Sequence, residues 1–215
     1  MRIISVNVSL PRTVLWKNRE VTTAIFKEPV EGPVMVRKLN LDGDRQADLT
    51  VHGGREKAIY AYPSGHYSFW RSELPGMDLP WGMFGENLTI EGLREEDTRI
   101  GDRFRVGGAV LIATQPRIPC YKLGVKFGRD DILKRFLQSE RSGVVFSVVE
   151  EGFVQAGDTV EKICQDENGV TVTDIHRLYA IKRDDVSLLR RASQLQALPE
   201  GWREHFRKKL ALVEG

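Results

Sequence analysis

Short runs of alternating apolar and polar positions, broken by glycine, proline and asparagine, fill residues 1–165. IISVNVSL (3–10) and VMVRKLNL (34–41) have the β-branched content and period of strands. RFRV-GG-AVLIAT (103–114) predicts a hairpin, because Gly107 and Gly108 can both take the positive φ of a tight two-residue turn. DTVEKIC-QDENG-VTVT (158–173) predicts a second hairpin, turning at Asn168-Gly169. A Gly-Asp turn precedes each, at Gly101-Asp102 and Gly157-Asp158, although the likeness is too short to be an internal repeat.

Two helices interrupt the strands. SGHYSFWRSEL (64–74) sets Tyr67, Trp70 and Leu74 on one face, with Ser64 as N-cap. DDILKRFLQSER (130–141) sets Ile132 or Leu133 with Phe136 and Leu137, capped by Asp130 or Asp131. Many short strands with few helices predict a closed or half-closed antiparallel barrel. From about residue 170 the helical period takes over. Thr173 is placed to cap a helix burying Ile175, Leu178 and Tyr179. Asp184 or Asp185 is placed to cap a second, with Val186, Leu189, Ala192 and Leu195 inward. Pro199 opens a third, with Trp202, Phe206 and Leu210 at i, i+4, i+8. The predicted fold class is mainly β (α+β): a barrel-like domain over residues 1–168 and a small three-helix extension over 169–215. About 45 residues make a marginal core alone, so the extension is expected to dock on the barrel.

Composition narrows the function classes. Of 215 residues, 32 are Lys or Arg and 30 are Asp or Glu, a net charge of +2 that argues against a partner as large as a nucleic-acid polymer or a membrane surface. No apolar run approaches the roughly 20 residues of a membrane span, and the first residues lack a signal-peptide pattern. Two cysteines, Cys120 and Cys164, suit a reducing, cytoplasmic compartment and exclude a disulfide framework. They are too few for an iron–sulfur cluster held by this chain's cysteines alone, and the four histidines are too scattered for a structural zinc site.

Three clusters carry candidate chemistry. LDGDRQADLTVHGGREKAIYAYP (41–63) crowds Asp42, Asp44, Arg45, Asp48, His52, Gly53, Gly54 and Lys57 into one span. A solvated loop would read the same, but Gly53-Gly54 followed by cations also suits a backbone nest for an anion. The spacing is neither a P-loop nor a dinucleotide fingerprint, and a lone His52 is more often structural than a ligand. FGENLTIEGL (84–93) is a tight turn ahead of a strand, in which Asn87 could offer its amide to a cavity. ATQPRIPCYKL (113–123) leaves the strand of the Gly107-Gly108 hairpin; Pro116 and Pro119 stiffen it. Arg117 and Lys122 flank Cys120, and cations near a thiol stabilise the thiolate, both nucleophile and metal ligand. An inert, buried Cys120 is the alternative. Cys164, in TVEKICQD, reads as strand filling.

In order, DGDRQADLTVHGG, FGENLT, IGDRFRVG and QPRIPCYKL resemble the MOSC domain, the family of the molybdenum cofactor sulfurase C-terminal domain. The resemblance runs on through SVVEEGFVQAGD, and LPEGWREHFRKKL resembles the end of the three-helix extension of YiiM-type proteins. SGVVFSVVEEG departs from the family in being less aromatic and less basic, so no site residue is assigned there. The resemblance implies a β-rich barrel and a molybdenum cofactor. The pterin dithiolene holds the metal, and Cys120 would add one soft thiolate ligand. Arg45, Arg117 and Lys122, with Gly53, Gly54 and Lys57 of the HGG loop, would meet the cofactor phosphate. Gln115, Asn87 and Asp48 would meet the pterin ring.

The same resemblance implies an enzyme that reduces N-hydroxylated small molecules, such as hydroxylaminopurine-type base analogues, to amines. His52 would be a candidate proton donor, and a separate electron-donor reductase is needed because the chain lacks a flavin or nicotinamide fingerprint. A second reading is a sulfur carrier with a persulfide on Cys120, linked through the family to pyridoxal phosphate. A cysteine hydrolase is weaker, because no His–Asp partner for Cys120 can be singled out. A homodimer is one assembly the sequence leaves open.

Overall fold

A computed structural model of the chain describes residues 1–47, 54–181 and 185–214. Its strands are β1 (Arg2–Val8), β2 (Arg12–Trp16), β3 (Arg19–Thr23), β4 (Glu28–Val30), β5 (Val34–Val36), β6 (Ile59–Pro63), β7 (Leu88–Glu91), β8 (Arg103–Val106), β9 (Ala109–Pro116), β10 (Val144–Glu150), β11 (Gly152–Val154) and β12 (Val160–Cys164). Its helices are α1 (His66–Glu73), α2 (Tyr121–Phe127), α3 (Ile132–Gln138), α4 (Val172–Ala180), α5 (Val186–Ala192) and α6 (Glu200–Glu214).

Eight strands form one sheet in the order β12-β8-β9-β10-β6-β7-β1-β4. The ladder then returns on itself. Ile3 N–H donates to Asp158 O (2.9 Å), Val160 N–H to Met1 O (2.9 Å), and Gly157 N–H to Ile3 O (2.8 Å). The start of β1 is thus tied to the approach to β12, which gives the barrel-like closure expected. One pair departs from the antiparallel expectation: β6 and β7 run parallel, because α1 lies in the connection between them and supplies a crossover.

The Gly107-Gly108 hairpin joins β8 to β9 as expected. Of the pair only Gly107 takes a positive φ, of 53°. The two Gly-Asp turns share one chemistry. Arg99 N–H donates to the Asp102 carboxylate and Gln155 N–H to that of Asp158, each at 2.9 Å, with Gly101 and Gly157 at positive φ.

The second hairpin expected does not form. β12 pairs with β8, and VTVT does not return as a strand. Local side chains capture the backbone there: Asp166 accepts from Asn168 N–H (3.0 Å), and Asn168 from Val170 N–H (2.7 Å). Thr171, not Thr173, then caps α4, and Asp174 answers in a capping box. Asp185 caps α5 through Leu188 N–H (2.9 Å); the alternative, Asp184, lies outside the described residues. Gly65 rather than Ser64 stands at the start of α1, and the Asp131 carboxylate at the start of α3 binds Arg129 and Arg135 instead of capping. α2 is an element the pattern did not predict; its short apolar run contains Gly124, whose bare backbone lets Arg129 O and Leu133 pack close.

Two apolar clusters fill the molecule. The first joins the barrel interior (Ile3, Val36, Phe104, Leu111, Phe146) to the C-terminal helices through Ile175, Leu178, Leu189 and Phe206. Tyr179, expected inward, is 41% exposed. The second is aromatic, with Tyr62, Tyr67, Trp70, Phe84 and Phe136 packed between α1, α3 and the outer face of β6. Tyr67 and Trp70 share the buried face of α1 as expected. No helix among the described residues is long and apolar enough to cross a membrane.

Candidate functional site

A cavity of about 380 Å³ opens where the loop after β9 meets the loops after β3 and β5. That is within the range of small-molecule and cofactor sites. β9 lies between β8 and β10 in the sheet, and its end, Gln115-Pro116, is held by pairing with Val145 and Val144 of β10. From it Arg117, Ile118, Pro119 and Cys120 run along the cavity, and Lys122 follows from α2. Cys120 is half-buried, on extended backbone at the start of α2, and is not in a disulfide. Cys164 is a strand residue as expected, the last of β12, with its side chain exposed.

The three sequence clusters converge here. Arg45 and Lys57 come from the first, Asn87 from the second, and Gln115, Arg117, Cys120 and Lys122 from the third. Gly54 does not line the cavity; it leads at φ 108° into the short turn Arg55–Lys57. Asp48, His52 and Gly53 lie outside the described residues. Among the described lining residues five cations, Lys27, Arg45, Lys57, Arg117 and Lys122, face one carboxylate, Asp44. A nearly neutral chain therefore carries a locally electropositive cavity.

The FGEN turn serves mainly to build this wall. Gly85 has φ 77°, and a Cβ there would stand 2.9 Å from Ile25 Cγ1 and 3.3 Å from Arg117 Nη1. The missing side chain is the space in which Arg117 sits. Arg117 donates to Phe84 O and lies 4.7 Å from the centre of the Tyr60 ring, a cation–π stack. Beneath it the buried Glu86 accepts from Tyr67 Oη (2.5 Å), Gly82 N–H (2.8 Å), Phe84 N–H (3.1 Å) and Thr89 Oγ1 (3.0 Å). Burial nevertheless raises its pKa above the ordinary carboxylate range. Asn87 has its amide committed within the protein: its oxygen accepts from Tyr60 N–H (3.1 Å) and its Nδ2 donates to Asp44 (2.9 Å).

Sequence reasoning did not assign Lys27, Asp44, Trp202 or Lys126 to the site. Lys27 and Asp44 form an almost fully buried ion pair on the cavity wall, and Asp44 also accepts from Ser9 N–H (2.9 Å). Burial, reinforced by Arg117, outweighs Asp44 and pulls the Lys27 ammonium below the ordinary lysine pKa. Trp202 of α6 reaches the cavity and donates its indole N–H to Gln115 Oε1. Lys126, just behind the wall, donates to Ile25 O (3.2 Å), Lys27 O (3.2 Å) and Gly82 O (3.0 Å), and burial lowers its pKa to about 8. Asp44 stood in the motif as a carboxylate, but nothing local announced Lys27 as its partner.

A barrel whose rigid strand delivers a cysteine to a cationic cavity defines a class, and sequence comparison assigns it. The MOSC domain model matches residues 48–161, and the YiiM-like, 3-alpha helix domain model matches residues 170–212; the chain belongs to the MOSC domain family. It is similar to YflK of Bacillus subtilis (strain 168), 39% identical over 207 residues, covering 96% of this chain and 93% of that protein. The crystal structure of YiiM from Geobacillus stearothermophilus superposes with a TM-score of 0.81 at 34% identity, over 97% of this chain and 98% of that one. A protein of Gibberella moniliformis (strain M3125 / FGSC 7600) named "Reductase" is 34% identical over 179 residues, 82% of this chain but 32% of that longer protein.

Proposed function

We propose that the cavity holds a molybdenum cofactor and that the protein reduces N-hydroxylated small molecules to amines. The observation that carries this reading is the convergence of Cys120 with Arg45, Lys57, Arg117 and Lys122 on one cavity. A pterin dithiolene leaves a metal in need of one soft protein ligand, and Cys120 is the only thiol among the described lining residues. The cations suit the cofactor's phosphate, and Arg117 is pre-oriented for it by Tyr60 and Phe84 O. The space left by Gly85 is a further fit, because it lets a guanidinium line the wall rather than a methyl group.

When bound, the cofactor supplies the two-electron removal of oxygen. The balance is R–NHOH + 2 e⁻ + 2 H⁺ → R–NH₂ + H₂O. Because Trp202 donates to the oxygen of Gln115, it fixes which way the amide points, and the N–H₂ of this side chain is a donor for a ligand. Asn87 acts one step back, fixing Asp44 and through it Lys27. Electrons come from a separate reductase. The longer relative named "Reductase", of which the matched part is about a third, supports a link to redox chemistry.

The test is to express the protein in a molybdopterin-competent host, then measure molybdenum and the reduction of an N-hydroxylated aminopurine with a generic reductant. Molybdenum near one per chain with turnover is expected. Absence of molybdenum with a cyanide-labile sulfur on Cys120 would replace this reading with that of a sulfur carrier.

A further inference from the structure

We infer that Trp202 makes the three-helix extension one wall of the ligand site and selects planar aromatic N-hydroxylated compounds over aliphatic ones. The inference rests on reading the cavity as the site of N-hydroxy reduction.

The lining residues run from Thr23 to Val145, with one exception. Trp202, from α6, is the sole described lining residue contributed by the extension. Its ring is held rather than loose. The indole N–H donates to Gln115 Oε1, which fixes one edge against the end of β9. The Tyr179 ring lies 5.1 Å away at 60°, and the fully buried Phe206 ring 5.8 Å away at 41°. α4 and α6 thus present the indole in one orientation, with the rotamer already paid for by packing.

The chemistry of what is presented follows. The one polar atom of the indole is used by Gln115, so what the ring offers a ligand is apolar aromatic surface. The rest of the lining also includes a flat stack, the Arg117 guanidinium on the Tyr60 ring. A flat heteroaromatic ring gains from both surfaces, whereas a short aliphatic hydroxylamine leaves the indole face in water. Stacking of a base on an aromatic side chain changes affinity roughly ten- to one-hundred-fold when the ring is removed.

Two measurements test this. In the first, kcat and KM are compared for an N-hydroxylated aminopurine and for N-methylhydroxylamine in the cofactor-loaded wild type, Trp202→Phe and Trp202→Leu. Trp202→Leu is expected to raise KM roughly ten- to one-hundred-fold for the purine, with a clearly smaller change in KM for the aliphatic compound. Trp202→Phe should keep most of the preference, since it retains a ring between Tyr179 and Phe206. An unchanged preference in a folded Trp202→Leu protein would overturn the inference and leave the proposed function standing. A wild type that reduces neither compound would count against the proposed function instead.

The second measurement needs neither turnover nor a folded Trp202 variant. The chain has four tryptophans, so fluorotryptophan labelling gives four fluorine resonances. Trp202 is assigned by Trp202→Phe or, if that variant does not fold, by replacing the other three in turn. Titration with the N-hydroxylated aminopurine is expected to move the Trp202 resonance, and N-methylhydroxylamine to leave it in place. A resonance that ignores the purine, or follows both compounds equally, would overturn the inference.

Discussion

Gly85 and Arg117 share one space: a Cβ on Gly85 would stand 3.3 Å from the guanidinium and 2.9 Å from Ile25 Cγ1. With φ at 77°, Gly85→Ala also carries backbone strain. The expected loss is about 1–3 kcal/mol of stability, read by urea unfolding. Arg117 is expected to shift off Tyr60, so affinity for inorganic phosphate should fall relative to wild type. A fully stable variant with unchanged phosphate affinity would mean that the two residues are not coupled.

Cys120→Ala is expected to abolish N-hydroxy reduction while circular dichroism shows an intact fold. The thiol is half-buried, and its removal should cost about 1 kcal/mol or less. Cys120→Ser should fail similarly, because a hydroxyl is a harder ligand. Cys164→Ala, at the exposed end of β12 and away from the cavity lining, should keep full activity. Activity in a well-folded Cys120→Ala protein would end the ligand assignment.

Asp44→Asn strands Lys27 without its carboxylate in a nearly dry wall. Breaking such a buried pair from one side costs about 3 kcal/mol or more. Thermal denaturation should show the loss, and adding Lys27→Met should recover part of it by removing the stranded ammonium. Equal stability of the single and double variants would argue against the pair.

The pH dependence has a definite sign. Lys126 titrates near 8 in the native protein, against an ordinary value of 10.5. Between these values the unfolded chain binds more protons, so stability rises with pH. Lys27 is depressed too and adds the same sign. The tyrosines whose pKa burial raises, Tyr60 and Tyr62 among them, act oppositely, but only above about pH 10 where an unfolded tyrosine ionises. From pH 8 to about 9.5 the tyrosines are therefore silent, and the difference between wild type and Lys126→Met separates Lys126 from the other groups that titrate there. Urea unfolding should show a Lys126 contribution of about 2 kcal/mol across that interval, absent in Lys126→Met.

Local chemistry made much of this legible. The Gly107 turn, the α1 face of Tyr67 and Trp70, and the helical period of Phe206 and Leu210 depend on near neighbours in sequence, which pattern reading sees. So did the cavity residues from Arg45 to Lys122, which cluster in motifs. The β2–β3 hairpin went unread although Lys17-Asn18, both at positive φ, mark its turn. VTVT misled because strand propensity there yields to a capping box that begins inside it at Thr171, two residues ahead of the Thr173 expected as cap. Trp202 and Gln115 lie 87 residues apart, and Trp202 looks like ordinary core in its own helix. Only the docking of α6 turns the pair into part of a site.

That docking has a thermodynamic corollary. Two family models meet between residues 161 and 170, yet Phe206 and Leu189 share one apolar cluster with Phe104 and Leu111. Modular inheritance and cooperative folding are thus drawn along different lines. Heating is expected to melt barrel and helices in a single endotherm. Truncation after residue 169 would then excise part of the core and uncover the barrel's apolar surface, leaving an aggregating remnant rather than a smaller folded domain.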